Sequence, residues 1–345
     1  LKSTRRRVGE IGEFTLIDRI RKILPESGNR DLLVDIGDDT AVIRMDDRRA
    51  LLVTCDIQVE GRHFRFDRIT PYRVGRRAMA VNLSDIASMG GKPTYALVSL
   101  GLPAVFPVKG FDRLFEGMRD EMLPHGAYVI GGNLAQTARE LIVDVTMLGE
   151  VDLSRVLTRG GARPGDRIFV TGTLGASGAG FQAMRVFGEK VPRKFRELVE
   201  RHVLPAPRVT LGRRISGAGV ASAMIDLSDG VASDLFHVCT RSGVGAEIRE
   251  ERLPLPRHIE EIAEKSGRSV LDLALHSGED YELLFTVPPG VSDRKIRAIP
   301  GDTGVPVTEI GKIVAREEGY RLVDSSGART PLKPVGWDHF RGTRV

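Results

Sequence analysis

Apolar positions along the chain recur with two alternating periods. Over residues 10–24 they fall at Ile11, Phe14, Ile17, Ile20 and Leu24, three or four apart, which is one face of an amphipathic helix, and Pro25 ends it. Short apolar runs at 32–34, 41–43 and 50–54 predict strands, with Gly37-Asp38-Asp39 as an acidic turn between the first two. Helical spacing returns over 72–90, where Gly90-Gly91-Lys92-Pro93 predicts a stop. A strand at 95–100, a helix at 111–123, a strand at 127–130, Gly131-Gly132-Asn133 as either a turn or a point of close backbone approach, and a strand at 141–148 complete the first half.

From 149 to 166 the chain becomes polar, glycine-rich and arginine-bearing, which places a domain boundary near residue 150. Beyond it the alternation resumes, with strands at 167–171, 223–225, 244–248 and 282–287. Helical patterns lie at 178–187, on to 202, and at 233–240 and 259–266. The expectation is an α/β (α+β) chain of two domains, 1–149 and 150–345. Leu-Ser-Asp occurs at 83–85 and again at 227–229, too short a string to establish a repeat.

Composition narrows the class. The 345 residues include 51 Lys plus Arg against 46 Asp plus Glu, a net +5 dispersed along the chain, which argues against nucleic acid as partner. No apolar run approaches the ~20 residues that span a bilayer. Cys55 and Cys239 lie far apart without metal or disulfide spacing, as expected in a reducing cytoplasm. The 39 glycines exceed ordinary usage of about 7%, so tight turns or close backbone approach to a ligand are expected.

The acids are the sharpest chemical signal. Asp38-Asp39, Asp56, Asp85 and the pair Asp226 and Asp229 each adjoin an apolar run. Any one of them could cap a helix or sit in a turn. Four such groups beside apolar runs are another matter, because buried carboxylates need a partner or a cation. Oxygen donors without paired His or Cys favour a hard ion, Mg²⁺ held by a few carboxylates and substrate phosphates.

Other features are weaker. The glycine-rich stretch 172–180 follows a strand and opens a helix, so its backbone N–H groups could cradle an anion or simply make a tight turn. No P-loop or nucleophile-elbow string is present. His63 lies between Arg62 and Phe64, and Glu279, Asp280 and Glu282 stand at the mouth of an apolar strand.

Taken in order, these strings resemble the thiamine-monophosphate kinase family within the aminoimidazole ribonucleotide synthetase-like superfamily. In the first half they are Ile36-Gly37-Asp38-Asp39, Glu60-Gly61-x-His63-Phe64 and Ala80-Val81-Asn82-Leu83-Ser84-Asp85. In the second they are Asp226-Leu227-Ser228-Asp229-Gly230, Gly278-Glu279-Asp280-Tyr281-Glu282-Leu283 and Gly336-Trp337-Asp338-His339-Phe340.

The resemblance implies an N-terminal dimerisation and Mg-ATP-binding domain whose sheet forms a barrel with the partner subunit of a homodimer. It also implies a C-terminal α/β sandwich domain closing the site. ATP, several Mg²⁺ ions and thiamine monophosphate come with it. Asp39, Thr54, Cys55, Asp56, Asp85, Asn133, Asp226 and Asp229 are the implied metal positions. Gly132, Arg159 and Ser228 are implied at the nucleotide, and His63, Glu279 and Trp337 at thiamine; no general base is assigned. Cys55 stands where the family usually has a hydroxyl residue, and Asn133 where it has an aspartate, which keeps an oxygen donor but loses its charge. A superfamily relative with another acceptor, or a nucleotide-binding protein without turnover, would carry many of the same residues.

Overall fold

The computed structural model describes residues 8–25 and 27–336. The chain runs α1 (Glu13–Ile23), β1 (Leu32–Val34), β2 (Ala41–Arg44), β3 (Arg49–Val59), α2 (Pro71–Ser88), β4 (Lys92–Pro103), α3 (Val108–Met122), β5 (Tyr128–Thr137) and β6 (Ile142–Asp152). It continues β7 (Arg167–Thr171), α4 (Ala176–Phe187), α5 (Arg196–Val203), α6 (Val209–Ala218), β8 (Ala223–Asp226), α7 (Val231–Ser242) and β9 (Gly245–Arg249). Last come α8 (Ile259–Ser266), α9 (Val270–His276), β10 (Leu283–Val287), α10 (Asp293–Arg297), β11 (Val307–Val314), β12 (Tyr320–Val323) and β13 (Arg329–Pro331).

The strands form two sheets, ordered β1-β2-β3-β6-β4-β5 and β13-β12-β9-β11-β7-β10-β8, so the mixed α/β expectation holds. In the first, Ala50, Leu52 and Thr54 of β3 alternate onto the face shared with Val143, Val145 and Met147 of β6, and this face is buried beneath α2. Its other face carries cross-strand rows in which Cys55 pairs Thr146, Ile57 pairs Asp144, and Ser99 stands between Asp144 and Asn133. Ile57, Tyr95, Leu97 and Tyr128 leave this outer face apolar and exposed.

Helix α2 is the element on which both halves pack. Thr70 caps it by accepting from the Arg73 amide at 3.4 Å, and Pro71 takes the first turn, where a missing N–H costs nothing. Its residues are buried nearly all round, because it touches β3 and β6 on one side and α3, α6 and β8 on the others. Its core continues into Met224, Leu283 and Phe285 of the second sheet, whose opposite face packs on α7 through Ile168, Ile225 and Leu284.

Two sequence expectations change. Gly131-Gly132 is not a turn but part of β5, which pairs in parallel with β4; a Cβ on Gly132 would lie 1.8 Å from the Val98 carbonyl oxygen. Parallel pairing this close is what the glycine permits. The helix stop needs only Gly90-Gly91, since Lys92 already belongs to β4. Beyond residue 290 the apolar pattern was not read as strands, yet β11 to β13 form there, with Ile310 and Ile313 of β11 in the core.

The crossing of α2 with α3 depends on reciprocal glycines. A Cβ on Gly75 would lie 1.9 Å from the Leu114 carbonyl oxygen, and one on Gly117 at 1.9 Å from that of Tyr72. Gly117→Ala should therefore force the helices apart and destabilise the fold by roughly 1–3 kcal/mol despite the better helix propensity of alanine. A chemical denaturation midpoint equal to that of the unmodified chain would refute this.

Candidate active site

A cavity of about 1580 Å³ opens between the two halves. Its acids come from separate elements. Asp38 and Asp39 sit on the β1–β2 turn, Asp56 on β3, Asp85 on α2, Asp226 at the end of β8, and Asp229 and Asp234 around the start of α7; all of them line it. Most of these acids lie at or near element ends, Asp56 lies within β3, and the fold turns all of them toward one space.

Adjacent residues of α2 tie that space to both halves. Asp85 accepts a hydrogen bond from Thr54 Oγ1 of β3 at 2.5 Å, while Ser84 Oγ donates to Asp226 Oδ2 at 2.6 Å. The β1–β2 turn is pinned from the second half. Arg241 donates to the Gly37 carbonyl oxygen from Nε at 3.0 Å and Nη2 at 2.8 Å, and Arg159 Nε donates to Asp39 Oδ1 at 2.8 Å. The Arg159 amide adds a bond to Asp38 Oδ2 at 3.2 Å. Gly37 has φ +114°, and a Cβ there would strike the Arg241 guanidinium.

Crowding these carboxylates out of water is unfavourable, and their proton affinities record it. Burial first, then the charges of Asp56, Asp226 and Asp39, push Asp85 well above the usual carboxyl range. Burial and Asp39 do the same to Asp226, and burial with Asp229 and Asp226 to Asp234. Asp38 is raised to about 6 by burial and by Asp39. Asp39 Oδ2 is buried and without a hydrogen-bond partner.

This donor set fits a hard divalent cation: it is all oxygen, electrostatically starved of positive charge, and carries an orphaned oxygen aimed at nothing in the protein. Among the described residues, no three His, Cys, Asp or Glu side chains form a ready-made ion cage. The acids are spread along the cavity wall instead, so a cation held there would need phosphate oxygens or water as further ligands.

The remaining expected residues divide. Thr54, Cys55, His63, Arg159, Ser228 and Glu279 line the same cavity. His63 Nδ1 accepts from the Val59 amide at 2.9 Å, so while that bond stands the ring carries its proton on Nε2. Cys55 is at the rim, its thiol turned to the outer sheet face, 3.3 Å from Asp144 Oδ1. Gly132 and Asn133 are on the edge strand β5 and are not among the residues lining the cavity of this chain. Trp337 lies outside the described residues.

The glycine-rich stretch 172–180 does not offer a free anion cradle. Asp280 occupies it, accepting from the amides of Gly175 at 2.6 Å and Ser177 at 3.0 Å at the start of α4. Burial raises Asp280 to about 7 in spite of those bonds. Sequence reasoning missed Asp234 as a wall residue. Its signal was an acid in the first turn of α7, and its carboxylate accepts from the Gly230 amide at 3.0 Å.

Residues 37–151 match the family model "AIR synthase related protein, N-terminal domain" and residues 163–324 its C-terminal counterpart. Thiamine-monophosphate kinase of Aquifex aeolicus is 37% identical over 335 residues, 97% of this chain and 100% of that protein. The enzyme of that name from Escherichia coli K12 is 36% identical, with 95% and 98% covered. The chain belongs to the thiamine-monophosphate kinase family. Among solved structures, AaThiL complexed with AMPPCP and TMP superposes with a TM-score of 0.84 at 35% identity, covering 98% of this chain and all of that one. Escherichia coli HypE, a hydrogenase maturation protein, has a TM-score of 0.68 at 21% identity, with 89% and 92% covered, a likeness of fold alone.

The electrostatics of this kinase-family cavity set a pH-dependent response to metal. Asp85 and Asp226 hold protons more tightly folded than unfolded, so the stability they lend is full below the ordinary carboxyl range near 3.8 and is lost as pH rises. A cation bound among these carboxylates would take the place of those protons. MgCl₂ should raise the thermal midpoint more at pH 8 than at pH 5, and an equal or absent rise at both would count against cation binding here.

Proposed function

We propose that this chain transfers the γ-phosphoryl group of ATP to thiamine monophosphate, giving thiamine diphosphate. One observation carries the reading: the acids from both halves line a single cavity together with Arg159, His63 and Glu279, in a chain of this family. At about 1580 Å³ the space exceeds the roughly 300–1,000 Å³ usual for one small ligand, as two phosphorylated substrates require. AaThiL, similar over its whole length, was solved with AMPPCP and TMP bound.

In this reading Asp39, Thr54, Asp56, Asp85, Asp226 and Asp229 would hold Mg²⁺, which would supply neutralisation of phosphate charge. Arg159 and Ser228 meet the nucleotide, and His63, Glu279 and Trp337 the thiamine moiety. Arg159, whose Nε is bonded to Asp39, offers its guanidinium to the phosphate oxygens of the nucleotide. The acceptor oxygen belongs to a phosphate whose second pKa is about 6, already ionised at neutral pH, so no side chain has to remove a proton. Catalysis by the chain is alignment of donor and acceptor and stabilisation of charge in an in-line transfer.

The exposed apolar outer face of the first sheet supports a homodimer. A second copy on that face, closing a barrel across the two subunits, would bury Ile57, Leu97 and Tyr128. It would also carry Gly132 and Asn133 toward the nucleotide end of the partner's cavity. Residues 1–149 are then the dimerising, Mg-ATP-binding half and 150–345 the half that closes over it. None of the described helices is long and apolar enough to cross a membrane, and with ATP as donor we place the protein in the cytoplasm.

Purified chain supplied with ATP and MgCl₂ should release ADP only when thiamine monophosphate is added, with thiamine diphosphate formed in equal amount. ADP release indifferent to this acceptor, or none at all, overturns the assignment. Asp85→Asn and Asp229→Asn should each lower kcat at least ~100-fold, about 2.7 kcal/mol of barrier, without loss of folded protein by circular dichroism. Asn133→Asp should lower the Mg²⁺ concentration for half-maximal rate, and an unchanged titration would remove Asn133 from the metal set.

A further inference from the structure

The largest of the fully buried side chains is a charged one, Arg77 on α2, 2% exposed. Removing a guanidinium from water costs several kcal/mol unless every direction of it is satisfied. Here three elements satisfy it. Nε donates to Gln58 Oε1 of β3 at 3.2 Å, Nη1 donates to the His202 carbonyl oxygen of α5 at 2.5 Å, and Nη2 donates to Glu279 Oε1. The fork thus bolts the first half of the chain to the Gly278-Glu279 turn of the second.

Glu279 is unusual in its own right. Its backbone is in the left-handed region, φ +58°, and its amide donates to the Ser228 carbonyl oxygen at 2.7 Å. The second carboxylate oxygen is 3.3 Å from His202 Nδ1, and the side chain keeps 29% of its surface, on the cavity wall. With one oxygen gripped and the backbone fixed, a single rotamer faces the cavity.

We infer that Arg77 is a positioning residue for the acceptor, holding the Glu279 carboxylate in one orientation toward the cationic thiazolium ring of thiamine monophosphate. The inference rests on the assignment of Glu279 to the thiamine side. Only a planar fork reaches three acceptors on three elements at once, so lysine, with its compact charge, replaces the function in part. The charge matters as well as the geometry. Burial pushes the Glu279 carboxyl upward, but the charges of Arg77, His202 and His63 together hold it below the usual range. His202 itself is driven down to about 4, chiefly by burial, so at neutral pH the cation hydrogen-bonded to this carboxylate is Arg77.

Steady-state kinetics with both substrates varied test this in Arg77→Met, Arg77→Lys, Glu279→Gln and the Arg77→Met/Glu279→Gln double variant. Arg77→Met and Glu279→Gln should each raise KM for thiamine monophosphate about tenfold or more while KM for ATP stays within about twofold, and Arg77→Lys should fall between. Because Arg77 acts through Glu279, the double variant should be no worse than Glu279→Gln alone. Multiplicative effects, or an Arg77→Met enzyme with ordinary KM for the acceptor beside an impaired Glu279→Gln, overturn the role of Arg77 and leave Glu279 in place. An unimpaired Glu279→Gln overturns both assignments. Should Arg77→Met fail to fold, the same cycle built on Arg77→Lys decides by the same criterion.

Discussion

Like-charged carboxylates held together away from water are the constraint around which this molecule is arranged. Asp39, Asp226 and Asp234 are buried and Asp85 is half-buried, and in isolation each would be costly to ionise there. The fold tolerates them by setting them on different elements, by giving Asp85 and Asp226 one hydroxyl donor each, and by laying Arg159 against Asp39. What remains uncompensated is a deficit of positive charge. A cavity with that deficit favours cations over anions, so under the proposed function the electrostatic cost to the fold would also drive metal binding.

Helix α2 makes the arrangement rigid. At about 100° per residue, Arg77 and Ser84 are seven residues and two turns apart, within about 20° of the same direction. Both therefore face the second half of the chain, Arg77 toward Glu279 and His202 and Ser84 toward Asp226. Asp85, one residue on, turns to Thr54 of the first sheet. The glycine contacts around α2, at Gly75 against α3, at Gly117 of α3 against α2 and at Gly212 of α6 against the Ala87 carbonyl, let backbones approach where side chains would hold them apart. Small displacements of α2 would move every one of these polar groups together.

The string Gly278-Glu279-Asp280-Tyr281-Glu282 shows how neighbouring acids acquire different chemistry. Glu279 faces the cavity under the hold of Arg77. Asp280 satisfies amides at the start of α4 and is raised to about 7, chiefly by burial. Glu282 is fully buried, yet hydrogen bonds and charge from Arg208 and Arg201, with Thr171, keep its carboxyl below the usual range against that burial. Three acids within four positions thus line the cavity, satisfy amides at a helix start and anchor buried ion pairs.

Local pattern alone revealed much of this. Apolar spacing located α1, α2, α3 and the strands of the first sheet, because helix and strand periods are written in neighbouring residues. The acids stood out because carboxylates beside apolar runs are costly and therefore meaningful one at a time. Pairing across the chain was not readable. Gly131-Gly132 looked like a turn, since nothing local says that β4 lies 1.8 Å from where a Cβ would stand. Nor did the glycine loop at 172–180 announce that Asp280, a hundred residues away, fills it. The face to which Cys55 and Asn133 turn is decided by strand register, and the partners of Arg77 by the meeting of three distant segments. Sequence fixes what each residue is able to do, because that depends on its own chemistry. Tertiary structure decides which partner it does it with, because desolvation and contact depend on groups that only folding brings near.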